Sequence, residues 1–204
     1  GYYSFYNVTR TIGNIWFTDP ADANDFAVGD RALVMTLQVS SGSPVMNVTQ
    51  PNRTLTIEPV IAGTQGFTKI GPGTLVLTNA NTYTGSTVVS NGTLKLMTAS
   101  YGTTTVIVNS GTTIDVLVTG NGGGQLTIPG PWTNADNSTL IIDYGSITPS
   151  TTVAPLSVAS LSLGTNLLLQ INGTAFVSGR TLPLITWAGT GPTDTSAFAT
   201  VITP

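Results

Sequence analysis

Gly66 to Met97 reads GFTKIGPGTLVLTNANTYTGSTVVSNGTLKLM, and its two halves close on matching phrases. Gly73-Thr74-Leu75-Val76-Leu77 is answered by Gly92-Thr93-Leu94-Lys95-Leu96. A third near-copy, Asn109-Ser110-Gly111-Thr112-Thr113-Ile114-Asp115-Val116, follows at a comparable interval. A turn residue, then Gly-Thr, then alternating aliphatics, recurring about every 20 residues, is the pattern of stacked solenoid rungs. Gly and Asn at the joints tolerate the positive φ that a sharp turn demands. The period of two then points Leu75, Leu77, Val89, Leu94, Leu96, Val106, Val108, Ile114 and Val116 inward as one aliphatic stack. Thr and Asn face outward.

Working outward, the same grammar continues. Alternating or β-branched runs occupy 32–39, 54–60, 87–90, 104–109, 113–118, 125–128, 139–144, 156–163, 167–171, 182–187 and 198–203. Each is bounded by Gly, Asn, Ser or Pro, as strands between tight turns are. No segment holds a capped 3.6-residue apolar pattern over three turns. The expectation is an all-β protein, a β-solenoid over 61–204 preceded by a distinct N-terminal β segment over 1–60. A β-sandwich or jelly roll is the alternative.

The stretch Phe67 to Leu96 resembles the passenger-associated repeat, also called the autotransporter-associated β-strand repeat. Its pattern is met by Phe67-Thr68-Lys69, Gly71, Gly73-Thr74-Leu75, Asn81-Thr82-Tyr83-Thr84-Gly85, Thr87 and Gly92-Thr93-Leu94. The tail from Arg180-Thr181-Leu182-Pro183-Leu184-Ile185-Thr186-Trp187 to Phe198 is similar, more loosely, to the segment that ends such repeat regions. The resemblance implies a right-handed parallel β-helix exported by bacteria and displayed at, or shed from, the cell surface. An exported chain would have lost its leader ahead of Gly1.

Composition narrows the function. Charged residues make up 7% of the 204, against roughly 25% in an ordinary soluble domain, while 40% are hydrophobic. A core is available, and the surface is covered by Thr, Ser, Asn and Gly. The six bases (Arg10, Arg31, Arg53, Lys69, Lys95 and Arg180) are scattered and the net charge is −3. That excludes the basic stripe that phosphate backbones require. No apolar run approaches the roughly 18–20 residues that span a bilayer. Cys and His are absent, which removes disulfides, thiolate metal sites and Ser-His-Asp chemistry.

Four features remain as candidate sites. Glu58, Asp115 and Asp143 are the strand-borne acids, and glycoside chemistry needs two carboxyls paired in space; solvent-facing isolation is the expectation, and no enzyme. Asp19, Asp22, Asn24, Asp25 and Asp30 form an acidic loop offering oxygens to a hard cation such as calcium, without the spacing of an EF-hand; the competing reading is a solvated loop. Asn-x-Ser/Thr sequons stand at Asn7, Asn47, Asn52, Asn91, Asn137 and Asn172, against roughly four expected by chance. Tyr2, Tyr3, Phe5, Tyr6, Ile15, Trp16 and Phe17 concentrate apolar area in one segment, as a cap on the chain's own core or a strand given to a neighbour.

Two functions are expected from this. One is a non-catalytic structural subunit of an extracellular or cell-surface coat or filament, a homopolymer joined head to tail because low charge leaves sheet edges unprotected. The other is a surface adhesin or passenger-like fragment that binds glycans or other cells.

Overall fold

The computed structural model describes residues 2–4, 10–18, 25–29, 31–99, 101–102, 105–120, 124–193, 196 and 198–202. Among these there is no helix. The first rung holds β1 (Tyr2–Ser4), β2 (Arg10–Ile12) and β3 (Ile15–Phe17). The second holds β4 (Phe26–Gly29), β5 (Val34–Leu37) and β6 (Val45–Val48), and the third β7 (Thr54–Ile57), β8 (Val60–Ala62) and β9 (Phe67–Ile70). Later rungs carry two strands each: β10 (Thr74–Leu77) with β11 (Thr87–Val89), then β12 (Thr93–Met97) with β13 (Val106–Val108). Next come β14 (Thr113–Leu117) with β15 (Leu126–Asn134), and β16 (Thr139–Asp143) with β17 (Leu156–Leu163). Then β18 (Leu167–Asn172), β19 (Ile185–Trp187) and β20 (Phe198–Ile202) complete the order.

Every strand pairs in parallel with its counterpart one rung away, in sheets ordered β1-β4-β7-β10-β12-β14-β16-β18-β20, β19-β17-β15-β13-β11-β9-β6-β3 and β2-β5-β8. The fold is a right-handed parallel β-helix, the hand that parallel crossovers take. A sandwich or jelly roll would need antiparallel neighbours, so that alternative is overturned.

The third wall does not stop at β8. Thr82 N donates to Ile61 O at 2.8 Å and Thr84 N to Gly63 O at 3.0 Å; Gly102 N then reaches Asn81 O at 3.0 Å, and Tyr101 N reaches Thr127 O at 2.9 Å. In β15 the register shifts between Ile128 and Pro131. Its first half thereby continues the third wall and its second half the neighbouring one, so one strand rounds the corner.

Rung length varies. The register Thr54↔Thr74↔Thr93↔Thr113 steps by 19 or 20 residues, whereas Arg10↔Met35 and Thr139↔Leu168 step by 25 and 29. The period read from the repeated phrases therefore belongs to the middle of the chain. The third phrase also sits one residue later than its sequence alignment suggests. Thr113, not Thr112, stacks on Thr93, and Thr112 fills the glycine position because its hydroxyl finds Asn109 O at 2.8 Å.

The core is built as the alternation requires. Leu75, Leu77, Val89, Leu94, Leu96, Val106, Val108, Ile114 and Val116 are all buried within one cluster. Leu94 lies between Leu75 and Ile114 on the rungs either side. Both neighbours are fixed by their own strands and cannot collapse into a gap, so Leu94→Ala should lower the unfolding free energy by about 2–5 kcal/mol in urea denaturation.

Candidate functional site

The residues that define the repeated stretch each have a task in the fold. Phe67 and Tyr83 are fully buried and meet edge to face, with ring centroids 5.6 Å apart. The Tyr83 hydroxyl lies 2.6 Å from Thr87 Oγ1, which points into the core. Buried Asn81 ties three rungs: its Oδ1 accepts from Ile61 N at 2.7 Å, its Nδ2 donates to Asn79 O at 3.0 Å, and its carbonyl accepts from Gly102 N. A Cβ on Gly85 would fall on the backbone of Gln65 and Gly66, and one on Gly66 on the backbone of Gly85 and Ser86. Only two bare backbones fit there.

Lys69 takes an inward position of β9, in the column Met46-Lys69-Val89, and is fully buried. Its Nζ donates to the carbonyls of Ile70, Gly71 and Asn91 at 2.9, 2.8 and 3.0 Å. An ammonium has three protons, and all three are used to hold two successive turns together. Burial lowers its pKa to about 8. The carbonyl dipoles favour the charged form and keep it protonated at neutral pH.

The acids are less isolated than expected. Register places Asp115 directly beside Lys95 on the outer face of the first sheet, and Asp143 lies on β16, the next rung. Lys95 Nζ sits 2.8 Å from Asp115 Oδ2 and 3.0 Å from Asp143 Oδ2. The Asp143 Oδ1 accepts from Gly145 N at 3.0 Å, while Asp115 Oδ1 is buried without a hydrogen bond. Burial raises the Asp115 pKa, and the Lys95 pair only partly offsets this. Burial by itself would lower Lys95, but the two carboxylates reverse that and leave it raised. The triad is an ion-pair lock with its cation between the two acids. Only register reveals it, since Asp115 stacks on Lys95 once the third phrase is set one residue later.

The other expected sites are scattered or lie outside the described residues. Asp19, Asp22, Asn24 and Asp30 are outside them. Asp25 is exposed, and its Oδ1 accepts from Thr54 N at 2.8 Å, capping the start of β7. Glu58 follows β7, its backbone N–H bonded to Val28 O at 2.9 Å. Phe5 and Tyr6 also fall outside. Tyr2 and Tyr3 lie on β1, in register with Ala27 and Val28. Ile15 and Phe17 pack against the core cluster, and Phe17 stacks on Phe26 at 5.7 Å. Trp16, between them, is 61% exposed on edge strand β3.

The residues with structural tasks in β9 to β12 coincide with a known pattern. The model of the passenger-associated-transport-repeat family matches residues 67–96. The matched stretch thus runs from the last strand of one rung, through a whole rung, into the first strand of the next, with Lys69, Asn81, Tyr83 and Gly85 as its internal fastenings. A stretch of 51 residues, 25% of the chain, is 41% identical to the adhesin BmaC autotransporter of Brucella suis biovar 1 (strain 1330). The matched part spans 2% of that relative's length. No solved structure matches at a significant level.

Proposed function

We propose that this chain is a passenger-like segment displayed at or shed from a bacterial cell surface, where it acts as a non-catalytic, adhesive β-helix. The observation that carries the reading is the repeat at 67–96 built seamlessly into a continuous solenoid. Its signature residues are spent on fastening rungs, which suits a rigid arm that presents its flanks. The similarity to a relative named as an autotransporter adhesin supports the adhesive part. The Lys95 cation held between Asp115 and Asp143 supports the non-catalytic part, because the two carboxylates share one cation and Asp115 is buried away from any substrate. The test is binding. Beads coated with the purified chain should adhere to glycan arrays or to cultured animal cells above beads coated with an unrelated β-helix. Equal binding would remove the adhesin reading, and polysaccharide turnover lost in Asp143→Asn would remove the non-catalytic one.

A second reading, self-association into a filament or coat, is favoured by Trp16. A tryptophan 61% exposed on a strand that, among the described residues, pairs on one side offers an apolar anchor of the kind that dominates interfaces. Light scattering of the wild-type chain at high concentration should show oligomers that Trp16→Ser abolishes. A wild-type chain that stays monomeric rejects this reading.

A further inference from the structure

The first sheet carries a column of five threonines in register, Thr54↔Thr74↔Thr93↔Thr113↔Thr139. Three of them, Thr54, Thr93 and Thr139, are also the third residue of an Asn-x-Thr sequon. Their asparagines, Asn52, Asn91 and Asn137, therefore occupy the same place in the turn that leads into the sheet, on alternate rungs. Parallel strands lie about 4.8 Å apart, so the three stand in a row at intervals of about 10 Å. On the rungs between, the position is filled by Pro72 and Gly111.

All three asparagines are exposed, and among the described residues no hydrogen bond restrains their side-chain amides. Their backbones, by contrast, can be pinned. Asn91 O accepts from Lys69 Nζ, Asn137 N donates to Thr165 O at 2.9 Å, and Asn137 O accepts from Gly111 N at 3.2 Å. Two other sequons differ. Asn47 is 7% exposed, and its Oδ1 is enclosed where a Cβ on Gly71 would meet it. Asn172 is half-buried, and its Oδ1 accepts from Gln170 Nε2 at 2.8 Å. Asn7 lies outside the described residues.

We infer that this edge of the solenoid is an N-glycosylation edge, modified at Asn52, Asn91 and Asn137 and not at Asn47 or Asn172. The acceptor signal is the asparagine amide with a hydroxyl two residues on. The donor is a sugar activated as a glycosyl phosphate, carried on a nucleotide or a lipid. The bond from Asn Nδ2 to the anomeric carbon forms as the bond from that carbon to the phosphate oxygen breaks. The phosphate leaves with the electron pair, and one amide proton passes to a base on the transferase. Each modified site gains one saccharide, and the row lines one corner with sugars while both sheet faces stay bare.

The test is independent of adhesion. Protein recovered from its native cells is measured as intact mass and mapped by peptide fragmentation that preserves sugar linkages. Saccharide is expected on each of Asn52, Asn91 and Asn137, with Asn47 and Asn172 unmodified. Asn91→Gln should remove one saccharide increment from the intact mass. A mass equal to the bare polypeptide, sugar on Asn47 or Asn172, a bare Asn52, Asn91 or Asn137, sugar linked only to Ser or Thr, or an unchanged increment in Asn91→Gln overturns the inference.

Discussion

Gly85→Ala should destabilise the protein by about 4 kcal/mol, at the upper end of what single substitutions do. The added methyl meets the backbone of Gln65 and Gly66, and backbone has no rotamer to escape into. Relief would require moving β9 away from β11, which opens the hydrogen bond from Phe67 N to Ser86 O, now 3.0 Å. Gly120→Ala is the control. Gly120 has φ of +87° with no described residue within 4 Å of an added Cβ, so it isolates the cost of a left-handed backbone, about 1–2 kcal/mol. Urea denaturation of the two variants separates crowding from strain. Equal losses would mean that the rungs at Gly66 and Gly85 can part without penalty.

Lys95→Met should cost about 2–4 kcal/mol at pH 7 and much less at pH 4. Removing one partner of a buried ion pair costs roughly 3–5 kcal/mol, and the quarter exposure of the Lys95 side chain reduces that figure. The pH dependence follows from Asp115. Its pKa in the folded protein is raised above the ordinary value. Between the two values the folded state binds more proton than the unfolded, so stability falls as pH rises through that window. Without Lys95 the pull back toward ionisation is lost, the window widens upward, and neutral pH leaves a buried carboxylate uncompensated. Acid restores the neutral form and with it most of the stability. Asp115→Asn added to Lys95→Met should restore stability at pH 7 as well. A loss equal at both pH values would assign the effect to packing of the lysine stem.

What could be read from the sequence divides along physical lines. The inward aliphatics were legible because alternation in a strand is a local property, and Leu75, Leu94 and Ile114 had no other side to face. Strands β10, β12, β14, β16 and β17 follow for the same reason. Strand β9 was legible as part of a motif and not as a strand, because an inward lysine breaks the alternation. Nothing local announces that three carbonyls wait for Lys69. Strands β1 to β4 and β6 are as short as β10, but no recurring Gly-Thr phrase announces them. The Lys95, Asp115 and Asp143 lock is non-local, fixed by register between rungs of 20 and then 26 residues. The common side of the three sequons was hidden likewise, since their sequence spacings are uneven and only the stack makes their positions equivalent.

The rungs of 19 and 20 residues between Thr54 and Thr113 are close to the shortest circuit the chain makes around this core. A digestive enzyme must lift a length of chain clear of the surface before it can cut, and such a circuit has no slack to give. The longer rungs on either side do have slack, in connections such as 145–155 and 173–184. In an environment rich in hostile hydrolases, the short rungs over 54–113 are therefore the armoured stretch of the molecule, and wear begins on the longer rungs beyond them.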